Sequence, residues 1–344
     1  MVWPKVSIIW LNHNSMKIID TVIESLESIT NLDYPDDKYE LIVVDNGSTD
    51  GSFDKIKEFL DRRSKLRKKI IRLSKNLGFT GGNNVGYRAR DEDSKYVVLV
   101  NNDATIEANS VKLYVETFEK FPGIGALQGI LINRRKKVID SIGLYLSNVF
   151  TAHPFSRDIR DVPQKYEALK CSFVEGTFPA YRIESLKLSM GERIFEEKFF
   201  GFGEDVLTSL MIWSKGYSTV FIPKIVGFHV RGATWKKMES VYLAYRNYLT
   251  MSYLFGGPTV YMYNLLLVLI HYRYRKLTSV LIKESRKLYS MLRKEMTNVN
   301  IAKTSIPIIQ IPKAILVKGL VFRRNIDAYV NRWIKKNISK LAIT

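Results

Sequence analysis

The sequence predicts an α/β protein: a mostly parallel sheet flanked by helices, followed by a basic α-helical appendage. Three observations predict it. Short runs of β-branched apolar residues alternate with segments whose apolar residues recur at three and four. Each apolar run closes on amides or carboxylates, at the strand ends where open parallel sheets bind ligands. The charge is lopsided: residues 241–344 hold 18 of the 53 Lys/Arg but 3 of the 34 Asp/Glu, a net of +15 against +4 for residues 1–240.

Taken in order, "KVSIIWL" (5–11) reads as a buried strand, and "SMKIIDTVIESLESI" (15–29) as an amphipathic helix. "YELIVVDN" (39–46) is a second strand. "DGSFDKIKEFLDRRSKL" (50–66) is a second helix, with Asp50 or Ser52 as N-cap. "KKIIRLSKN" (68–76) is a third strand, and "TGGNNVGYRAR" (80–90) a Gly-rich turn entering a helix. "KYVVLV" (95–100) is the fourth strand and 108–121 a further helix. Beyond it the pattern is less regular, with strands at 128–133 and 217–223, a helix at 204–215 ended by Gly216, and a polar, mobile loop at 151–170.

At 46% hydrophobic residues the chain can bury a core and is no disordered protein. The single cysteine, Cys171, excludes an intrachain disulfide and fits a reducing compartment. The start, "MVWPKVSIIW", lacks the basic stretch and long apolar core of a signal peptide.

Four features carry chemistry. In "VVDNGSTDGS" (43–52) a carboxylate closes a buried strand, suited to bonding a ribose or base, although Asp-Asn-Gly-Ser also caps helices. In "NLGFTGGNNVGY" (76–87) glycines would let backbone amides approach phosphate, without the spacing of a dinucleotide fingerprint or a P-loop. "NND" (101–103) offers an oxygen ligand to Mg²⁺ or Mn²⁺, which bind through one or two carboxylates plus substrate phosphates. His229 in "FHVRGAT" is a second ligand or a structural histidine. In "FFGFGEDVLTSLMIWSKGY" (199–217), Glu204 and Asp205 open a helix as a general base and its neighbour, or as dipole-complementing acids.

In this order the four resemble family 2 glycosyltransferases of the GT-A, Rossmann-like type. The resemblance covers about residues 5–235, plus "YRN" (245–247). It implies a catalytic domain over 1–240, with a nucleotide-sugar-binding half (1–123) and an acceptor-binding half (124–240). Residues 241–344 are then a helical, basic, membrane-associating region. Asn12, Asn14, Asp45, Asn46, Asn76, Gly78, Gly81, Gly82, Asn84, Asn102 and Asp103 would bind the nucleotide sugar, with Asp45 on the nucleoside. Asp103 and His229 would hold a divalent metal, Mg²⁺ or Mn²⁺. Asp205 would be the catalytic base with Glu204 beside it. Gly176, Phe202 and Trp235 would lie on the acceptor side. Related sequences often carry a second acid where this one has Leu207.

The implied reaction is inverting transfer of a sugar to a hydroxyl of a lipid-linked or polysaccharide acceptor. Residues 247–270 contain no charge and are interrupted by Gly256-Gly257-Pro258, favouring a re-entrant or interfacial hairpin over a core helix pair or a full span. "HYRYRK" (271–276) suits a headgroup layer. Residues 311–336 mix apolar and basic positions like a surface-lying helix. The expected location is the cytoplasmic face of the cell membrane, attached peripherally. A nucleic-acid-binding protein is the rival that the charge raises. The basic residues, however, lie outside the motif-bearing half and form no recognisable nucleic-acid module, so no nucleic acid is expected as partner. A nucleotidyltransferase should carry a basic Gly-rich loop after the first strand, and "LNHNSM" is none.

Overall fold

The computed structural model describes residues 2–230, 237–271, 278–296, 299, 304–321 and 323–343. In chain order the first half runs β1 (Val6–Asn12), α1 (Ile19–Thr30), β2 (Tyr39–Asp45), α2 (Ser52–Asp61), β3 (Lys68–Arg72), α3 (Gly78–Arg88), β4 (Tyr96–Asn101), β5 (Ala104–Ile106) and α4 (Ser110–Lys120). The second part runs β6 (Ile124–Asn133), β7 (Ile139–Ser141), β8 (Leu144–Ser147), β9 (Ala152–Pro154), β10 (Leu169–Lys170), β11 (Pro179–Arg182), α5 (Ile183–Met190), α6 (Glu204–Ser214) and β12 (Ser218–His229). The last third is helical: α7 (Lys237–His271), α8 (Thr278–Arg293), the short β13 (Ile308–Ile309), α9 (Lys313–Val321) and α10 (Arg323–Leu341).

The main sheet has the order β10-β12-β6-β11-β4-β1-β2-β3. Strands β3, β2, β1 and β4 are mutually parallel, as are β6 and β12, while β11 runs antiparallel between β4 and β6. The chain moves outward from β1 to β3, then returns to β4 on the other side of β1. This reversal opens a crevice at the carboxyl ends of β1 and β4. Register places the polar strand ends there together: Asn12 pairs with Asp45, and Leu11 with Asn101.

The strands read as unbroken apolar runs because both faces are covered. On one face Ile8, Trp10, Leu41, Val43, Val98 and Val100 meet α1, α2 and α4. On the other Ile9, Ile42, Val44, Val97 and Leu99 join a core that includes Leu207 and Leu210 of α6. Leu207 is fully buried there, which gives the apolar residue at that position a packing role.

Several expectations need correction. The third strand stops at Arg72, because residues 73–77 form a turn held by Asn46. The second helix is capped by Gly51 in the left-handed region; Asp50 accepts from the Ser52 amide instead. The stretch 151–170 is not an irregular polar loop throughout: it contains β9 and β10, and His153, Phe155, Val162 and Ala168 are buried. The region 311–336 is two helices, and their apolar stripe turns inward. Leu316, Ile326, Val330 and Ile334 join the main core, so that face is covered by the protein itself. The basic stretch 271–276 falls, beyond His271, outside the described residues.

Helix α7 is a hairpin of two arms. The chain breaks at Gly257 (φ 73°), ahead of Pro258. Asn264 Nδ2 then donates to Ser252 Oγ at 2.9 Å, although twelve residues of straight helix would hold them about 18 Å apart. Tyr253 and Tyr261 likewise lie 5.2 Å apart between ring centroids. The window Ser240–Ile270 is long and apolar enough to cross a membrane by composition, with few of its residues buried. Folded back, its second arm extends only about 21 Å, short of the roughly 30 Å hydrocarbon layer.

Candidate functional site

The crevice is framed by side chains whose hydrogen bonds are largely satisfied within the protein. Asn12 is fully buried at the end of β1. Its Nδ2 donates to Asp45 Oδ1 (2.9 Å), Ser48 Oγ (3.1 Å) and Ser52 Oγ (3.2 Å), and its Oδ1 accepts from Asn102 (3.3 Å). Asp45 also accepts from the Ser48 amide at 3.1 Å and is fully buried. It therefore helps to build the 46–52 turn, with its Oδ2 toward Arg72. The exposed group beside it is Arg72 at the end of β3, with Nε 3.8 Å from Asp45 Oδ2 and its guanidinium over the Phe53 ring. Gly47, Ser48, Thr49, Arg72, Leu73 and Ser74 line an open depression of about 330 Å³ at this edge. No motif in the sequence pointed to Arg72; its place at a strand end was the only signal.

Asn46 donates to Asn76 Oδ1 and Gly78 O, both at 3.0 Å, and accepts from the Leu77 amide at 2.9 Å. It pins the turn into α3. Asn14 and Asn76 remain exposed at the rim. Asn84 is fully buried and uses every hydrogen-bonding site. Its Oδ1 accepts from the Ile194 and Phe195 amides, and its Nδ2 donates to Phe195 O and Glu197 Oε1. It is a strut between α3 and the segment leading to Glu204, not a lining residue.

The glycines have packing roles in this structure. Gly81 and Gly82 lie inside α3, where an added Cβ would stand 2.7 Å from Leu77 Cβ and 2.5 Å from Leu11 Cδ1. Gly82 lets the helix sit tightly on β1, and Gly81 leaves room for Leu77 at the start of the same helix. Gly78 has φ +76° and packs on Phe200, its hypothetical Cβ 2.4 Å from that residue's carbonyl oxygen. The turn before α3 and the loop before α6 thus touch.

Asp103 and His229, 126 residues apart in sequence, are brought together by pairing of β5 with the end of β12. His229 Nε2 lies 3.0 Å from Asp103 Oδ1. Behind the ring, His229 Nδ1 lies 2.6 Å from Asp140 Oδ2, a residue of β7 that the sequence did not single out. All three side chains are buried. Burial opposes charge on the imidazole, but the hydrogen bonds and charges of Asp103 and Asp140 prevail and push its pKa up to about 9.

Among the described residues no group of three or more His, Cys, Asp or Glu side chains could hold a metal ion, so Asp103 and His229 would supply only two ligands to one. Two ligands bound cis at about 2.1 Å in an octahedron stand about 3.0 Å apart, the spacing of Nε2 and Oδ1. A metal there would have to displace the Nε2 proton that now bridges to Asp103, while Asp140 would keep the Nδ1 proton and hold the ring in place. Asn102 is buried next to them.

The loop leading into α6 carries strain. Phe200 and Phe202 have φ 66° and Gly203 φ 85°, and each non-glycine residue there costs on the order of 1–3 kcal/mol. The loop delivers Glu204 and Asp205 to the first turn of α6. Burial and then the Glu175 charge raise the Asp205 carboxyl to about 7. Burial, then Asp205, raises Glu204 well above the usual carboxylate range, and Glu204 Oε2 has no hydrogen-bond partner. A Cβ on Gly176 would lie 3.2 Å from Phe79 and 3.8 Å from Glu204 Oε1, so Gly176 keeps space beside these acids. Phe202 is part of the strained loop, and Trp235 lies outside the described residues.

Comparison with known proteins agrees with this architecture. The family model described as Glycosyl transferase family 2 matches residues 7–188. The chain is similar to the probable glycosyltransferase YdaM of Bacillus subtilis (strain 168), 23% identical over 233 residues, 68% of this chain and 52% of that one. It is also similar to a Methanococcus voltae protein, the dolichyl N-acetyl-alpha-D-glucosaminyl phosphate 3-beta-D-2,3-diacetamido-2,3-dideoxy-beta-D-glucuronosyltransferase. That protein is 22% identical over 247 residues, 70% of this chain and 71% of the other. Among solved structures, it shares the fold of the mannosyltransferase PcManGT from Pyrobaculum calidifontis in complex with GDP-Man and Mn²⁺. There the TM-score is 0.54 at 15% identity, over 94% of this chain and 89% of that one. The chain spans about half the length, or less, of several curated relatives that it matches.

Proposed function

The chain belongs to glycosyl transferase family 2, and from that premise we propose that it transfers a sugar from a nucleoside-diphosphate sugar to a hydroxyl acceptor, with inversion. The observation that carries the proposal is the buried Asp103–His229 pair just beyond the end of β4, with Nε2 and Oδ1 3.0 Å apart. Asp103 and His229 hold a divalent metal, Mg²⁺ or Mn²⁺, and Asp140 fixes the imidazole. When bound, that ion neutralises charge growing on the departing diphosphate, worth on the order of several kcal/mol. Arg72, Asn14 and Asn76 stand at the rim where a nucleotide would lie. Asp205 accepts the proton of the acceptor hydroxyl, and a single displacement with one base on the far face of the sugar inverts the anomeric centre.

A thermal-shift panel of UDP-N-acetylglucosamine, dTDP-rhamnose and GDP-mannose, each with and without Mn²⁺, tests this. One nucleotide sugar raises Tm, and Mn²⁺ enlarges the shift; ligand at about 100 times Kd stabilises by roughly 2.7 kcal/mol. A chain whose Tm responds to none of them with metal present rejects the reading.

The acceptor we propose is lipid-linked or a surface polysaccharide, reached from the cytoplasmic face of the membrane. The Methanococcus relative is named for a dolichyl-phosphate-linked acceptor, which supports this. So does the second arm of α7. It exposes Met262, Leu266, Leu269 and Ile270, which at these spacings share one helix face. Burying such a side chain in an apolar layer gains about 1.5–3 kcal/mol, and the +15 of residues 241–344 adds attraction to anionic lipid. In flotation with phosphatidylserine-containing liposomes at low salt, the full chain rises with the vesicles. Leu266→Glu combined with Leu269→Glu leaves most of it in the soluble fraction. Wild-type protein that stays soluble in this assay removes membrane attachment from the proposal.

A further inference from the structure

We infer that Asn247 and Arg246, on the first arm of α7, are positioning residues for the catalytic acids. The inference rests on Asp205 being the base. Asn247 is fully buried. Its Nδ2 donates to three carbonyls of the strained loop: Phe199 (3.1 Å), Gly201 (2.8 Å) and Phe202 (2.8 Å). Its Oδ1 accepts from Arg246 Nε at 2.8 Å, and Arg246 Nη2 donates to Phe199 O at 2.8 Å and Lys198 O at 3.2 Å. An amide has two protons, so three carbonyls can converge on one Nδ2 only if the loop is curled around it. That curl requires the left-handed residues Phe200, Phe202 and Gly203.

Gly203 completes the mount. A Cβ there would meet Met251 at 2.9 Å and Asn247 at 3.7 Å, so the residue before Glu204 rests directly on α7. The loop cannot hold this shape by itself, because its own backbone preferences oppose it. Ion pairs brace its start as well: Lys198 Nζ bridges Glu196 (3.1 Å) and Glu295 (2.9 Å), the latter just past α8. The carboxyl of Asp205 begins two residues after Gly203, so a shift of the loop moves the base relative to the sugar. A misplacement of about 1 Å can cost about 10²-fold in rate.

The test uses the full chain, Mn²⁺ and the nucleotide sugar selected by the thermal-shift panel, reading nucleoside diphosphate release. Asn247→Asp keeps the size but removes the donor. It lowers kcat by about 10–100-fold per folded molecule, leaves donor Kd within about twofold, and moves the acid limb of the pH profile. Arg246→Lys keeps the charge but cannot serve Asn247 and both carbonyls, and lowers kcat by about threefold or more; it decides the matter if Asn247→Asp does not fold. Unchanged kcat and pH profile in folded protein, with only Tm reduced, overturns the inference. Asp205→Asn, run in parallel, separates the two claims. If it is inactive while the 246 and 247 variants turn over normally, only the positioning role fails; if it is active, the base assignment itself fails.

Discussion

Asp205→Asn abolishes transfer while the nucleotide sugar still binds, with kcat lower by roughly 10²–10⁴-fold, the usual contribution of a general base, and donor Kd within about twofold. The amide has nearly the shape of the carboxylate but cannot take a proton. In the proposed mechanism the donor is held by other residues, so its binding survives. Transfer at a rate near that of the wild type would refute the assignment. The same residue sets a pH dependence. Burial and Glu175 hold its pKa at about 7, so wild-type kcat declines as pH falls below that value. The effect on stability has the opposite sense. An acid whose folded pKa exceeds its unfolded value, about 3.9, binds its proton more tightly in the native state. Stability is therefore lost as pH rises between the two values. Asp205→Asn removes that loss, so the variant melts above the wild type at pH 8, and the gap narrows at pH 5.

The parallel half of the fold was legible because β1, β2 and β4 are covered on both faces and must be apolar throughout. Residues such as Ile8 and Ile9 point into different cores, yet both are needed. The antiparallel additions were not legible. β11 is four residues including Pro179 and Arg182, too short for periodicity. Its arginine is buried only because it donates to Ile124 O and Phe118 O, contacts that exist after folding. Local propensity also misled at α3, where glycines that read as a turn sit in a helix packed against Leu11. The nearness of Glu204 and Asp205, and of Asp103 and His229, was legible because carboxylates and a lone histidine at strand and helix ends stand out as single letters. Asp140 was not, since an aspartate in an apolar stretch gains meaning only from its partner, 89 residues away; Asn247 stood out only as part of the resemblance at 245–247, and its partners, 45 to 48 residues away, appear only in the fold.

That difference between ligand and support yields the second large effect. Asp103→Ala eliminates the Mn²⁺-dependent part of the thermal shift and lowers transfer by about 10³-fold or more, since a contribution of several kcal/mol is removed at about 1.4 kcal/mol per decade. Asp140→Asn acts less severely. It leaves both ligands in place but replaces the carboxylate that holds His229 Nδ1, and loss of such an outer partner typically weakens metal affinity by about 10–100-fold. Mn²⁺ titration followed by electron paramagnetic resonance reads affinity without turnover, so it separates the two variants. Excess Mn²⁺ restores activity to Asp140→Asn but not to Asp103→Ala, because mass action can refill a weakened site and cannot replace a missing ligand. If Asp103→Ala binds Mn²⁺ as the wild type does, the carboxylate at the end of β4 is a structural partner of His229, and the crevice holds its diphosphate by other means.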